Sequence, residues 1–509
     1  MSLLDRRRFL QTTAAAAALT SAPLRSLAQA TAAAAPLKLH PDRNGPQVPA
    51  SFIGLSYEIE QLAEPSFFSP HNTGLIARFR ELAPNGVLRL GGNTSDVGWW
   101  KPTAASTQPP LPQNVVVSVE PGTRPFQQLA YPVTPEAIKN LRGFLDATGW
   151  TCLYGINLAT NTPERGADEA AFVFTTLGAK LEYFQLGNEP DLFQHRFRDP
   201  KTWNVDHYLD DWLAMANGIR ARVPQARFGL PDTAGDPTWS SRIAQRLSAM
   251  PPAGTGNGAG QGSRPNVAAV THHYYFGGPP TNPAINIPAI LKTDPKVAKV
   301  AATTREAAEK LGCVYRMSEG NTCYQGGKPN VSDVLAAALW AADYALSLAA
   351  FGYAGINLHG GGGKAVGNSL GARMPGEALL KPDEAPHPRP FYTPIADMNG
   401  TYVPEPDFRG LQFAGRFAGA TMIPLDFEPG AVNATAYAAK LPTGQLMVAI
   451  INKDADRPVP LNLAGFSPAL VLTAPSLESR EVNLSEPQAN TEANAVPPKT
   501  AMLLLNVHG

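Results

Sequence analysis

Charge is scarce in this chain. Only 17% of its 509 residues are Asp, Glu, Lys or Arg, and 42 basic residues balance 42 acidic ones. No basic block is available to follow a phosphate backbone, so no nucleic-acid partner is expected. Cysteine is scarcer still, with Cys152, Cys313 and Cys323 as the full set. Their spacing fits no zinc site, and an odd count is not a disulfide framework. Cys152 and Cys313 lie in apolar runs that read as core, and a Cys313–Cys323 bond is left open. Beyond the first 30 residues no apolar run is long enough to cross a bilayer, and no membrane association is expected once that segment is removed. What the chain does have is 44% hydrophobic residues with 49 Pro and 45 Gly, the mark of a folded protein rich in loops. Its length exceeds one ordinary core and implies a large domain with a smaller one.

The first 30 residues read as a targeting segment. Asp5-Arg6-Arg7-Arg8-Phe9-Leu10-Gln11 resembles a twin-arginine export signal, the run Ala14–Ala18 follows, and Ala28-Gln29-Ala30 offers a small-x-small cleavage site. Export to the periplasm or beyond is the expectation. Removing 1–30 takes four arginines and one aspartate, leaving 38 basic and 41 acidic residues and a net charge of −3.

After about residue 50, short β-rich runs alternate with segments of helical apolar spacing. The runs are Phe52–Glu58, Val87–Gly91, Cys152–Leu158, Tyr183–Gly187, Phe228–Pro231, Ala268–Tyr274, Val314–Ser318 and Gly355–His359. Helical segments such as Pro135–Thr148, His207–Arg222, Lys296–Leu311 and Ser332–Ala350 separate them. Eight repeats of this alternation predict an α/β fold, a (β/α)8 barrel over 51–407. Irregular insertions at 101–130 and 361–405 are expected at the carboxyl-end face. The Gly-rich Pro251–Pro265 should be a surface connection on the opposite face. From 408 to 509 the texture becomes alternating strands without long helices, which predicts an all-β sandwich. Residues 31–50 link the signal to the barrel, and Leu37–Pro49 within them is a candidate further strand of that sandwich.

Two carboxylates stand at predicted strand ends. Glu189 closes Phe184-Gln185-Leu186-Gly187-Asn188-Glu189-Pro190 at the end of the fourth run, and Glu319 follows Val314–Ser318 at the end of the seventh. The 130 residues between them are three βα units of about 40 each, so both side chains should reach one barrel mouth. Two carboxyl groups about 5 Å apart are the equipment of a retaining glycosidase. Glu189 would be the acid/base and Glu319 the nucleophile. His272 and His273 read as scaffold, and with no third ligand evident no metal is expected. No cofactor is called for. Gly360–Gly363 lacks the Lys-Ser/Thr of a phosphate loop and reads as a flexible loop at the mouth.

The motifs Leu186-Gly187-Asn188-Glu189-Pro190 and Ser318-Glu319-Gly320-Asn321-Thr322, with Tyr324-Gln325-Gly326-Gly327-Lys328 after the second, resemble glycoside hydrolase family 79. Arg89-Leu90-Gly91-Gly92-Asn93 and Thr271-His272-His273-Tyr274-Tyr275 resemble its second- and sixth-strand signatures. That family holds β-glucuronidases and heparanases, retaining enzymes built on a barrel with a β-sandwich. The resemblance implies that Asn188 bonds the sugar 2-hydroxyl and that Glu58 and Asn93 bind other hydroxyls. It also implies that Tyr324, Gly326, Gly327 and Lys328 take a uronate carboxylate. Alternation lets only one of Tyr274 and Tyr275 face the mouth, and the resemblance selects Tyr274 as donor to Glu319. The expected activity is an exo-β-glucuronidase on a glucuronate-containing glycan or glucuronide. The alternatives are an endo-acting, heparanase-like enzyme, another glycosidase of the same clan, or a non-catalytic carbohydrate-binding protein.

Overall fold

Eight parallel strands close into a barrel in the computed structural model, which describes residues 35–111, 129–252, 262–371, 374–381, 388–487 and 494–506. The expected export signal, 1–30, lies outside these residues, as do 112–128 of the first insertion and 253–261 of the Gly-rich connection. The barrel strands are β1 (Ile53–Glu58), β2 (Val87–Gly91), β3 (Thr151–Ile156), β4 (Leu181–Leu186), β5 (Arg227–Thr233), β6 (Asn266–Gly277), β7 (Val314–Cys323) and β8 (Ile356–Gly360). Neighbours in sequence are neighbours in the sheet, and β8 pairs with β1 to close it. All eight expected runs are strands. β6 and β7 continue to Gly277 and Cys323, past the limits read from sequence, and carry their ends toward the barrel mouth.

The intervening helices start and stop on local signals. Thr134 accepts the Ala137 N–H ahead of Pro135–Thr148, Pro135 occupies the first turn, and Gly149 ends the helix in the left-handed conformation. Ala137, Ile138, Leu141, Phe144 and Leu145 are buried, so this face packs on the barrel. Thr162 before Pro163–Leu177 and Asp294 before Pro295–Leu311 repeat the same start.

After the barrel, a six-stranded antiparallel sheet has the spatial order Thr421–Ile423, Ala434–Lys440, Leu446–Asn452, Thr500–Asn506, Phe466–Thr473, Asn483–Ser485. Leu37–Leu39 pairs antiparallel with Leu425–Phe427 beside it, so the early segment does contribute a strand to the β-rich region. Leu446–Ile451 reads as an unbroken apolar run because both faces are covered. Val448 and Ile450 pack with Ile423, Val459 and Met502, while Met447, Ala449 and Ile451 join the main core.

The helix Leu335–Ala350 lies between barrel and sheet and is buried nearly all round. It lacks a side-chain N-cap. Its first N–H groups instead donate to Ser479 O (2.8 Å) and Leu477 O (3.0 Å) of the β-rich region. On the same helix Asp343 accepts from Thr435 and Tyr437, both at 2.6 Å, and from Lys453 at 2.5 Å.

The three cysteines are free thiols. Burial pushes the Cys313 thiol up to about 11 and the Cys323 thiol to about 12.

Candidate active site

Strand alternation sends every second side chain of the barrel toward its axis. Two neighbours of β6 break that count. Along β7, Met317 pairs with His272 and Glu319 with His273, leaving Ser318 as an extra residue. Along β5, Pro231 pairs with Thr271 and Thr233 with His272, leaving Asp232 extra, at a φ of 58°. Each is a β-bulge. Without the bulge in β7, Arg316 and Ser318 would face the axis and Glu319 would point away. With it, Ser318 and Glu319 both reach the interior.

The centre of this interior is Arg89, an arginine 1% exposed in the middle of β2. Its Nη2 donates to Asn188 Oδ1 (2.8 Å) and Asp232 Oδ2 (3.0 Å), and its Nε to Gln185 Oε1 (3.1 Å). Its Nη1 donates to Ser56 Oγ (3.2 Å) and to Glu319 Oε2. A buried charge is tolerated only when paired and bonded in this way.

Glu319 is therefore held ionised. Burial opposes its charge, but His359, His273 and Arg89, with the Tyr275 hydroxyl donating to Oε1 at 2.9 Å, hold its pKa well below the usual carboxylate range. Glu189 sits across from it at a φ of 50°, uncommon for a residue with a side chain. Its N–H donates to Asp232 O (3.0 Å), and Oε1 faces His273 Nδ1 at 3.0 Å. Carboxylate oxygens of Glu189 and Glu319 lie within 4.8 Å of each other, with side chains 13% and 7% exposed. That spacing suits double displacement rather than inversion, which needs roughly 6.5–9.5 Å.

His273 bridges the pair. Burial works against its charge, but Glu319, Asp232 and Glu189 outweigh it and raise its pKa to about 10. Arg89 works the other way, because its Nη2–H can donate to Nε2 at 3.2 Å only while that nitrogen carries no proton. Glu189, His273 and Glu319 are also the one cluster among the described residues whose donor atoms could surround a cation. Their chemistry fits that role poorly. A metal-bound imidazole must give up the proton that these carboxylates favour, and Glu319 is already bonded to Arg89 and Tyr275.

A cleft of about 1170 Å³ opens over the pair. Glu58, Asn93, Glu189, Glu319 and Tyr324 line it. Glu58 Oε2 accepts from Thr94 N (2.9 Å) and Thr94 Oγ1 (2.7 Å). Only glycine fits beneath that carboxylate, since a Cβ on Gly92 would lie 2.3 Å from it. Asn93 Oδ1 accepts from Arg196 Nη1 at 2.8 Å. Asn188 is buried next to Glu189, and its Nδ2 has no protein partner.

Other expected residues fall elsewhere. Tyr275, not Tyr274, donates to Glu319. Tyr275 shares its face with Asn321 and His273 with Glu319, so Tyr274 is on the far side, where it donates to Asp294 Oδ2 at 2.6 Å and packs near Tyr344. Lys328 turns from the cleft, and its Nζ donates to Asn282 O (2.9 Å) and Ile285 O (2.7 Å), closing off the loop after β6. Gly326 and Gly327 do not line the cleft either. Gly327 has a φ of 81°, and a Cβ there would meet Tyr392 N at 2.8 Å, so this turn is glycine to let the 389–393 segment pack against it.

Sequence reasoning gave no role to Arg89, Asp232, His359 or Tyr392. The signal for Arg89 was present, as an arginine inside the apolar run Val87-Leu88-Arg89-Leu90 must find a buried partner. His359 and Tyr392 carry no such mark. Among the described residues, the insertion at 361–405 supplies Ser369, Leu370 and Tyr392 to the cleft, and 101–111 supplies none.

No family profile matches the chain. It is 26% identical over 325 residues to a β-glucuronidase of Aspergillus niger, an alignment covering 59% of this chain and 55% of the relative. It is 24% identical over 350 residues to a β-glucuronidase of Neurospora crassa, covering 63% and 59%. The chain thus spans little more than half the length of the curated relatives it matches. In fold it is similar to a 4-O-α-L-rhamnosyl-β-D-glucuronidase from Fusarium oxysporum, with a TM-score of 0.62 at 15% identity over 93% of this chain and 99% of that one. These likenesses join a glycosidase-type barrel to relatives named as β-glucuronidases.

Proposed function

We propose that the protein is a retaining exo-β-glucuronidase with the character of glycoside hydrolase family 79. The observation that carries the reading is the pair Glu189–Glu319, whose carboxylate oxygens lie within 4.8 Å in one cleft. Glu319, kept ionised by Arg89, His359 and His273, attacks the anomeric carbon. Glu189 protonates the departing glycosidic oxygen, then takes a proton from the water that releases the sugar. The free Asn188 Nδ2 is available to a hydroxyl of the bound sugar, a contact that strengthens as charge develops at the anomeric carbon.

The support for exo action is a short helix packed beside the cleft. Asn368 Nδ2 donates to Glu60 Oε2 at 2.6 Å, which holds the short helix Gly363–Ser369 beside the Glu58 and Asn93 end. The opposite end runs past Glu189 along Trp203, Asn204, Trp239 and Arg242, where a leaving group can lie. Glucuronate as the sugar rests on the two curated relatives, because Lys328 is engaged with backbone carbonyls. The test is a panel of aryl glycosides. The β-glucuronide should be turned over fastest, ahead of β-glucoside, β-xyloside and α-L-arabinofuranoside, and preference for any of the others overturns the sugar assignment.

A further inference from the structure

We infer that Asp232 is a positioning residue that sets both catalytic carboxylates at once. It rests on the double-displacement reading but adds a residue that reading does not use. Four contacts meet at Asp232. Its backbone oxygen accepts the Glu189 N–H at 3.0 Å. Oδ1 accepts the Ser318 hydroxyl, and Ser318 is the residue before Glu319. Oδ2 accepts from Arg89 Nη2 at 3.0 Å, the guanidinium whose other terminal nitrogen holds Glu319. Oδ1 also lies 3.7 Å from His273 Nε2, and Nδ1 of that ring faces Glu189. One residue, 1% exposed, therefore reaches Glu189 through its backbone and His273, and Glu319 through Ser318 and Arg89.

The two extra residues of the β5 and β7 bulges are bonded to each other through this contact. A bulge re-aims the chain but does not fix how far, because the extra residue has left the ladder. The Asp232–Ser318 link supplies that constraint across β6. The charge of Asp232 has a second effect. It balances Arg89 and stabilises a protonated His273. Tyr183, Tyr208 and His272, on β4, the helix Val205–Arg222 and β6, also feel its charge. None of these three supplies a second negative charge.

The test is Asp232→Asn, which keeps the shape and removes the charge. Its kcat, counted per active site by covalent trapping with a 2-deoxy-2-fluoro glycoside, should fall about 10²-fold, as expected of a displaced reacting group, with KM within about threefold. The His273 imidazole, followed by NMR, should titrate at least one unit lower than in the wild type. A residue that only fills space would change the melting temperature and leave both readouts in place. Wild-type kcat with an unmoved His273 titration overturns the proposal. If Asp232→Asn does not fold, Ser318→Ala decides. That variant keeps Asp232 paired with Arg89 and cuts the link between the bulges. A loss of about tenfold in kcat supports the proposal, and a value within twofold of wild type overturns it. Activity is read on whichever aryl glycoside the wild type hydrolyses. No turnover of any by the wild type would defeat the double-displacement reading itself, whereas normal turnover by the variants would defeat this inference alone.

Discussion

The two glutamates of the cleft live in unequal surroundings. Glu319 is enclosed by Arg89, His273, His359 and Tyr275, all of which favour its charge. Glu189 touches His273 and the backbone of Asp232, and its side chain is nearly twice as exposed, 13% against 7%. A nucleophile must stay ionised, so donors and cations gathered around it serve the reaction. An acid that also acts as base must gain and lose a proton within each turnover, and a dense set of cations would hold it in one state. The asymmetry is what the proposed roles, Glu319 as nucleophile and Glu189 as acid/base, require.

The largest expected effect breaks the pair by its two halves. Glu319→Ala should reduce turnover to background for every leaving group. Glu189→Gln should lose about 10²–10⁴-fold for substrates with poor leaving groups and much less for an activated dinitrophenyl glycoside, which departs without a proton. Equal losses across leaving groups in Glu189→Gln would contradict the assignment.

A smaller effect separates two adjacent tyrosines. Tyr275→Phe removes a hydrogen bond to a charged oxygen and should lower kcat/KM about tenfold or more, matching the roughly 1.5–3 kcal/mol of such bonds. Tyr274→Phe should leave kcat/KM unchanged and act on stability alone, through the bond to Asp294. The reverse order of effects would return Tyr274 to the site.

The last effect is on stability against pH and leaves turnover aside. His273 has its pKa raised from 6.5 to about 10 in the folded protein, so the stability it contributes is complete below pH 6.5 and is lost as pH rises through 10. Melting temperatures recorded from pH 6 to 10 should fall more steeply for the wild type than for His273→Gln. Parallel curves would mean that the ring is neutral in the folded state.

Much of the frame was legible because its signals are local. Thr134, Thr162 and Asp294 mark helix starts beside prolines, and eight β-rich runs alternating with helices are the pattern of a parallel barrel. Glu189 and Glu319 were legible for the same reason, since each ends its run. Tyr275 was not. Which face of β6 meets the cleft depends on its register with β5 and β7, and the resemblance to a motif was weaker evidence than that register. Lys328 was misread because a lysine beside two glycines looks like an anion site until the loop carbonyls of Asn282 and Ile285 are placed over it.

The sequence by itself determined the barrel, the strands of the β-rich region and the two carboxylates at strand ends, because periodicity and capping act within a few residues. The tertiary structure alone decided how those carboxylates are aimed and charged. Arg89, Asp232, His273, Ser318 and Glu319 come from four different strands, and their interactions act across space where no spacing along the chain records them.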